Sequence, residues 1–501
     1  MQPSQIHGKM TSMSLLVRLP IFLRGLGLLP ILAVTLAAAQ LIPVPLNNIR
    51  WHGAQTLVVE SGTTVLIATL LARARSYGSG QKRLLVTPLV PLLCLLLLLA
   101  WGIISYTAST DKPFALQGGF QLGAGIFVVF LVQRQVCTQA QLTFVLDALL
   151  GVGFLVAVSG FALFGGEGLT IATGILHDHM LFGAFLMLLL PLCLAVSIAP
   201  LTLNRRLFAQ AAGVACQAAL LAAQTRSAWV GEGVSLVMFG LLAWKTRSAA
   251  LPHFTSQAGT QRKFRRNIGA AAAFIACAGA FFWTLPDRDG FIARAKTLTT
   301  TVAQGKDAST QWRVSAWVGA EKMIREKPFQ GLGVGCYARH QFPYTQLGRT
   351  PEQVSRRGPT ILDEAHNSYL QLWAELGVVG LALWLAALVS FLIAGIRALK
   401  RYPARSLPQW ALIGCLSALT GQMVDALANP AWQFANVALP LWIILGLIAA
   451  LTCPVEAAEK RRHGPKTVPV QIGQAVLAAG VGGGLLWVIY QTAFALPAPH
   501  L

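Results

Sequence analysis

The chain has 501 residues, of which 55% are hydrophobic and only 11% are charged, and its mean hydropathy is +0.61. A soluble domain carries about 25% charged residues, so most of this surface must face hydrocarbon and the chain is predicted to be an integral membrane protein. The formal net charge of +21 does not indicate nucleic-acid binding, because the basic residues fill short gaps between apolar runs.

Apolar runs follow one another along the chain, and about 20 residues suffice to cross a bilayer as a helix. Thirteen candidate runs lie near 25–45, 56–72, 84–105, 119–134, 142–164, 180–200, 207–223, 228–244, 267–286, 373–396, 407–426, 435–453 and 470–492. The predicted fold class is all-α: a polytopic transmembrane helical protein of about 12–13 spans with one large periplasmic loop containing short helices. We interpret the first run as an uncleaved span rather than a signal peptide.

The positive charge between the runs predicts the orientation of the chain. Four connecting segments carry basic residues and no acidic ones, namely 73–83, 245–266, 397–405 and 460–466. Such loops stay in the cytoplasm, and with a cytoplasmic N-terminus all four follow even-numbered runs. The same parity places the short turn 223–227 and the long segment 287–372 outside.

The outer segment 287–372 is predicted to hold the chemistry. It contains twelve basic and eight acidic residues, and this excess of positive charge favours an anionic substrate. We therefore divide the chain into N-terminal transmembrane helices over 1–286, a large periplasmic catalytic loop over 287–372, and C-terminal transmembrane helices over 373–501.

Two features of this segment can be predicted from local patterns. Residues 310–327 predict an amphipathic helix that ends at Pro328, since apolar residues recur at helical spacing: Trp312, Ala316, Ala320, Met323 and Ile324. Glycines at 331, 333 and 335 then follow in a segment that we call the glycine loop, 328–335. Glycine permits tight turns and close approach to a ligand, but a purely structural turn explains the pattern equally well.

His366 is the candidate general base. It lies in Asp363-Glu364-Ala365-His366-Asn367-Ser368, where Asn367 or Ser368 is a predicted N-cap, so His366 would lie at the outer mouth of a membrane helix. A histidine there can take a proton near neutral pH, and Asp363 could orient its ring. The alternative is an interfacial histidine that only forms hydrogen bonds at the membrane edge.

Two further polar clusters lie outside by the same parity. Arg226 occupies the turn between the seventh and eighth runs, where arginine costs about 2.5–3.5 kcal/mol at membrane depth and its planar fork suits phosphate. The alternative is an arginine that merely anchors the turn. His177, Asp178 and His179 match no familiar zinc spacing, so we expect headgroup contacts or a wall of the site, and no metal.

Four motifs occur in an order that one known family shares. They are the Arg226-Ser-Ala-Trp turn, Trp312-Arg313 with Trp317, the glycine loop, and His366-Asn-Ser-Tyr-Leu-Gln joined to Glu375-Leu-Gly-Val-Val-Gly380. In these motifs, which cover about 224–382, the chain resembles the O-antigen ligase and polymerase superfamily of bacterial surface glycan assembly.

The resemblance implies a membrane-embedded glycosyltransferase without metal or cofactor, in the bacterial inner membrane with its site facing the periplasm. It would move a glycan from undecaprenyl pyrophosphate to an acceptor hydroxyl, such as that of lipid A–core, with inversion at the anomeric carbon. The resemblance further implies His366 as the catalytic base and Arg226 and Arg313 as pyrophosphate ligands. Other candidate substrate contacts are Asn367, Tyr369, His179 and Arg339.

Two other functions stay open. A polymerase of the same superfamily shares the chemistry and differs in its acceptor. A transporter would place ionisable residues near the bilayer midplane, whereas the polar clusters here lie at the outer edge, with Asp147 and Asp425 as the main exceptions. The expected partners are the lipid-linked glycan donor, a glycan or lipid A–core acceptor and the bilayer; no nucleic acid is expected.

Overall fold

The computed structural model describes residues 28–41, 62–63, 65–66, 89–109, 111–167, 171–173, 178–248, 308–340 and 364–452. These parts of the chain are helical and contain no strand, which confirms the all-α prediction. The helices are α1 (Leu28–Leu41), α2 (Leu89–Ala108), α3 (Lys112–Gln135), α4 (Gln139–Glu167), α5 (His179–Ile198), α6 (Leu203–Ala222), α7 (Arg226–Ser248), α8 (Ala308–Glu326), α9 (Tyr337–His340), α10 (Ser368–Ala398), α11 (Leu407–Asp425) and α12 (Ala435–Leu451).

Within the described residues, six helices are long and apolar enough to cross a membrane: α2, α3, α4, α5, α7 and α10. The chain is therefore a multi-pass membrane protein. Ten of the thirteen predicted runs coincide with described helices, whereas 267–286, 470–492 and most of 56–72 lie outside the described residues. The division into three parts stays a prediction, because 287–307 and 341–363 also lie outside them.

Helix α5 forms the centre of the bundle. It is buried along almost its whole length and packs mainly against α6, α7 and α11. Because lipid is as apolar as leucine, such helices are held together by close packing. Small residues allow that packing between α7 and α11, where a Cβ on Gly231 would lie 2.8 Å from the carbonyl oxygen of Gly421.

Helix α10 is broken near its outer end, which the single predicted run near 373–396 did not anticipate. Gly377 has φ 68° and ψ −179°, so the helical hydrogen bonds cannot continue through it. The glycine loop replaces them through Leu332 N–H to Ala374 O (2.9 Å), Gly333 N–H to Glu375 O (2.9 Å) and Val378 N–H to Pro328 O (2.8 Å). Lipid offers these backbone groups no hydrogen-bond partner, so the break in α10 depends on the hydrogen bonds from the glycine loop.

Helix α8 confirms the predicted amphipathic helix to within two residues at its start. Ala316, Ala320 and Met323 are buried as the spacing predicts. Ala320 and Met323 join a small apolar cluster with Tyr337 of α9 and Ala374 of α10. This cluster fixes α8, and with it Arg313, against the first turns of α10.

Candidate active site

His366 lies immediately before α10, and its neighbours fix the start of that helix. Asn367 is the N-cap, as predicted: its side-chain oxygen accepts hydrogen bonds from the N–H groups of Tyr369 (3.0 Å) and Leu370 (3.1 Å). The N–H of Ser368 donates to the carbonyl oxygen of Ala426, 2.9 Å away, just after α11. The segment that carries His366 is therefore tied to both α10 and α11.

The ends of α5, α7 and α11 meet at the same place, next to Arg313 of α8. The Thr225 hydroxyl, just before α7, donates to the carbonyl oxygen of His179 at 2.7 Å. The Asn429 side-chain amide, just after α11, donates to the carbonyl oxygen of Met180 at 3.1 Å. Arg313 reaches the same residue, with its Nη2 atom 4.0 Å from the Met180 sulfur. Met180, in the first turn of α5, is thus contacted both by Arg313 of α8 and by Asn429, just after α11.

The His366 ring is largely buried and uncharged, and a base must be uncharged before it can accept a proton. Its side chain is 15% exposed, and Nδ1 lies 3.9 Å from Glu364 Oε1, which is too long for a hydrogen bond. Burial, and next the positive charge of Arg313, lower the pKa of His366 to about 4, with Asp178 opposing this shift and His179 adding to it. The ring is therefore neutral at pH 7, so its contact with Glu364 is not an ion pair and one nitrogen can accept a proton.

The expected partner of His366, Asp363, lies outside the described residues. Among the residues that are described, Nδ1 of His366 is buried and has no hydrogen-bond partner. His366 also has φ +50°, a left-handed conformation that few non-glycine residues adopt. Within the described part of the chain, the backbone around His366 thus sets the position of the imidazole.

Asp425 is a member of the site that the sequence analysis recorded only as an exception among the apolar runs. Its side chain is fully buried at the end of α11, and its carboxyl group and Arg313 attract each other. Asn429 lies 3.5 Å from one carboxyl oxygen. A buried carboxylate needs a compensating charge or hydrogen bonds, and the charge of Arg313 and the amide of Asn429 supply part of this compensation for Asp425.

Arg226 is the first residue of α7 and lies at the same end of the bundle. Its neighbour Thr225 is bonded to the His179 backbone, and its other neighbour, Ser227, lies beside the Asp425 carboxyl group. The turn that carries Arg226 is thus attached to the elements that surround Arg313 and His366. The structure brings together the three regions that the sequence analysis selected from distant parts of the chain.

Residues 211–385 match the family model described as O-antigen ligase. Over these residues the chain is similar to the O-antigen ligase family. The match includes Arg226, Arg313 and His366, whereas Asp178 and Asp425 lie outside its bounds. The family implies a glycosyl-transferring enzyme of ligase or polymerase type in general. A search of curated proteins returned no match.

The other predicted substrate contacts stay predictions. The oxygen of Asn367 is engaged in capping α10, and the Tyr369 hydroxyl donates to the carbonyl oxygen of Met423 at 2.6 Å. His179 lies near the His366 ring. Arg339 belongs to α9, but its side chain lies outside the described residues.

Asp178, one of the polar residues before α5, has a structural role. Asp178 caps this helix, with Oδ1 accepting hydrogen bonds from the N–H groups of Met180 (2.7 Å) and Leu181 (3.0 Å). His177 lies outside the described residues. No group of three metal-ligating side chains occurs in the part of the chain that the structure describes.

Basic residues gather at the end of the bundle away from the candidate site. Arg206, at the start of α6, donates to the carbonyl oxygen of Ser197 near the end of α5 (2.9 Å). Arg401, just after α10, donates to the carbonyl oxygen of Thr452 (2.8 Å), just after α12. Since α5 and α10 both begin at the site, these arginines lie at its opposite end, as the positive-inside pattern predicts.

Proposed function

We propose that this membrane protein transfers a glycan from undecaprenyl pyrophosphate to an acceptor hydroxyl at the periplasmic face of the inner membrane. The observation that carries the proposal is the placement of a neutral imidazole, His366, beside the Arg313 guanidinium at the end of the helices away from the basic residues. An imidazole can take a proton from a sugar hydroxyl. A guanidinium can pair with a phosphate in bidentate fashion.

In the proposed reaction, His366 takes the proton of the acceptor hydroxyl while that oxygen bonds to the anomeric carbon of the glycan. The bond from this carbon to the pyrophosphate oxygen breaks, and its electron pair leaves with undecaprenyl pyrophosphate. Arg313 and Arg226 offset the negative charge that develops on the leaving group. Direct displacement of this kind inverts the configuration at the anomeric carbon.

Donor binding would also change the pKa of His366. The charge of Arg313 contributes to the low pKa of His366. A pyrophosphate bound at Arg313 brings negative charge close to the ring, and nearby negative charge stabilises imidazolium. The pKa of His366 should therefore rise from about 4 towards neutrality once the donor is bound, which makes the ring a stronger base when it is needed.

The break in α10 is not evidence that the protein is a transporter. Transporters use broken membrane helices because the freed backbone groups can bind ions or substrates. Here the freed carbonyl groups of Ala374 and Glu375 accept hydrogen bonds from the glycine loop, and that of Leu376 accepts one from the Trp101 indole at 2.7 Å. These groups are occupied by the protein itself, which favours the enzymatic interpretation.

The decisive experiment incubates the purified protein with a glycan on undecaprenyl pyrophosphate and a lipid A–core acceptor. We expect His366→Ala to lower the transfer rate by about 100- to 10,000-fold, the usual contribution of a general base, and Arg226→Ala and Arg313→Ala to impair it severely. Arg325→Ala is the matched control, because Arg325 is exposed on the same helix as Arg313 and pairs with Glu321. Undiminished transfer by His366→Ala would remove the assigned base.

The acceptor distinguishes a ligase from a polymerase. In a deletion strain, loss of a ligase leaves long lipid-linked chains that are not attached to the final acceptor. Loss of a polymerase leaves single repeat units instead. We expect the ligase result, and accumulation of single repeats would assign the same chemistry to polymerisation.

A further inference from the structure

The backbone that carries His366 is held by a hydrogen bond one residue earlier. The N–H of Ala365, a buried residue, donates to Oε1 of Gln371 at 3.1 Å. His366 itself has left-handed backbone angles, with φ +50°. Such a conformation persists when surrounding contacts determine it, and the Ala365–Gln371 bond is the contact on its N-terminal side.

Gln371 is joined in turn to Glu375, one turn further along α10. Nε2 of Gln371 donates to Oε1 of Glu375 at 3.2 Å, and both side chains are almost fully buried. The two ends of the Gln371 amide therefore have different tasks. Its oxygen accepts the N–H of Ala365, in the segment before α10, and its nitrogen donates to the carboxyl group of Glu375.

Glu375 extends the connection to the glycine loop. Its Oε2 atom accepts the N–H of Gly335 at 2.9 Å, and its Oε1 atom accepts the N–H of Tyr337 at 3.3 Å. Tyr337 is buried and its hydroxyl donates to the carbonyl oxygen of Ala316 in α8 at 3.1 Å, on the helix that carries Arg313. Two side chains thus connect the His366 segment, the glycine loop and, through Tyr337, α8.

We propose that Gln371 and Glu375 are positioning residues, which fix the backbone at Ala365 and thereby hold the His366 imidazole in its place in the site. The inference rests on the proposed function of His366 as the base. Neither residue is assigned a contact with substrate. Both act through the Ala365 backbone, and both lie within a continuous set of hydrogen bonds that ends next to His366.

The first test replaces Gln371 by leucine, which has a similar size and forms no hydrogen bond. We expect kcat to fall by up to about 100-fold, as a misplacement near 1 Å can cause, while KM for the donor changes little. We also expect the pKa of His366 to rise, because a loosened segment admits water to the ring. Among the described residues, the charged and titratable groups that face the ring are Arg313 of α8, Asp178 and His179 at the start of α5, and Glu364.

The second test distinguishes positioning from general damage. Glu375→Gln places a donor opposite an N–H group, and the double variant Gln371→Glu with Glu375→Gln reverses the donor and acceptor between the two side chains. We expect the double variant to regain part of the kcat that Glu375→Gln loses. The controls are Gln139→Leu and Glu321→Gln, both at exposed positions, which should keep the wild-type rate. If Gln371→Leu does not fold, Gln371→Asn removes the same bond with a shorter polar side chain.

The outcomes separate this inference from the proposed function. A folded Gln371→Leu or Gln371→Asn variant with wild-type kcat and an unchanged pKa of His366 would overturn the positioning role, even where His366→Ala is inactive. Activity in His366→Ala would instead overturn the base assignment and with it the positioning of a base. The pKa is measured by NMR on histidine-labelled protein, so this part of the test does not depend on turnover.

Discussion

Arg313 affects the chemistry of His366 without bonding to it. Burial contributes most to the low pKa of the ring, and the guanidinium charge contributes next. The same guanidinium is attracted to the buried carboxyl group of Asp425. A single side chain therefore lowers the pKa of His366 and, in the proposed reaction, also pairs with the pyrophosphate, so its replacement should change the titration of His366 as well as the rate.

The first prediction concerns this titration. In Arg313→Gln, the pKa of His366 should rise from about 4, because removal of the positive charge makes imidazolium less unfavourable. It should stay below the ordinary value of about 6.5, since the ring remains buried. NMR of histidine-labelled protein measures the shift, with His366→Gln to assign the signal and Arg325→Gln as the exposed control. An unchanged pKa would show that the two groups are not coupled.

Individual residues of the site differ in how far the sequence predicts them. His366, Arg226 and Arg313 belong to recognisable motifs, and Asn367 as N-cap follows from the start of an apolar run. Asp425 could be noted only as a charge within such a run, because its attraction to Arg313 joins residues far apart in the chain. The link from Ala365 through Gln371 to Glu375 is equally hidden, since neither side chain has a pattern that predicts its partner.

Among the elements, the glycine loop and the break in α10 depend on each other. The sequence left open whether the loop binds a ligand or forms a structural turn, and its hydrogen bonds to Ala374, Glu375 and Val378 establish a structural role. The Gly377 break could not be predicted from hydropathy, because the run stays apolar through it. The two motifs occur together because each satisfies the backbone groups of the other.

The second prediction tests this dependence. In Gly377→Ala, the new Cβ would meet the carbonyl group of Phe329 and the nitrogen of Gln330, and the backbone angles at this position (φ 68°, ψ −179°), which essentially only glycine adopts, cost another residue about 1–3 kcal/mol. We expect a lower Tm by tryptophan fluorescence, together with reduced transfer. Gly240→Ala in α7 is the control, because a Cβ there meets nothing within 4 Å. Equal Tm values for the two variants would argue against the loop–helix contact.

The third prediction concerns the contact between α7 and α11. In Gly421→Ala, a Cβ would lie 2.7 Å from the carbonyl oxygen of Gly231 and 2.9 Å from the Cβ of Ser235, so the helices must separate. Since α7 carries Arg226 at its start and α11 carries Asp425 at its end, transfer should fall even where the protein remains folded. Gly233→Ala serves as the control, with no atom within 4 Å of its Cβ, and a Gly421→Ala enzyme of normal activity would contradict the expectation.

At the scale of the whole molecule, the ends of the helices have different chemistry. The starts of α5, α7 and α10 and the end of α11 meet at the candidate site, and arginines bond to carbonyl groups at the other end. Hydropathy and charge predicted this asymmetry well, because the membrane imposes both patterns along the whole chain. They could not predict how the helices pack around α5, which depends on the shapes of the contacting surfaces.

The fourth prediction places the molecule in its membrane. Glu326, at the end of α8, and Lys400, just after α10, are both exposed and lie on the site side and the basic side respectively. In a background without native cysteines that still transfers glycan, Glu326→Cys should react with an impermeant maleimide in cells whose outer membrane alone is permeabilised. Lys400→Cys should react only after the inner membrane is opened, because basic segments are retained in the cytoplasm. The reverse pattern would put His366 on the cytoplasmic side, where a periplasmic acceptor could not reach it, and the proposed transfer would then be impossible.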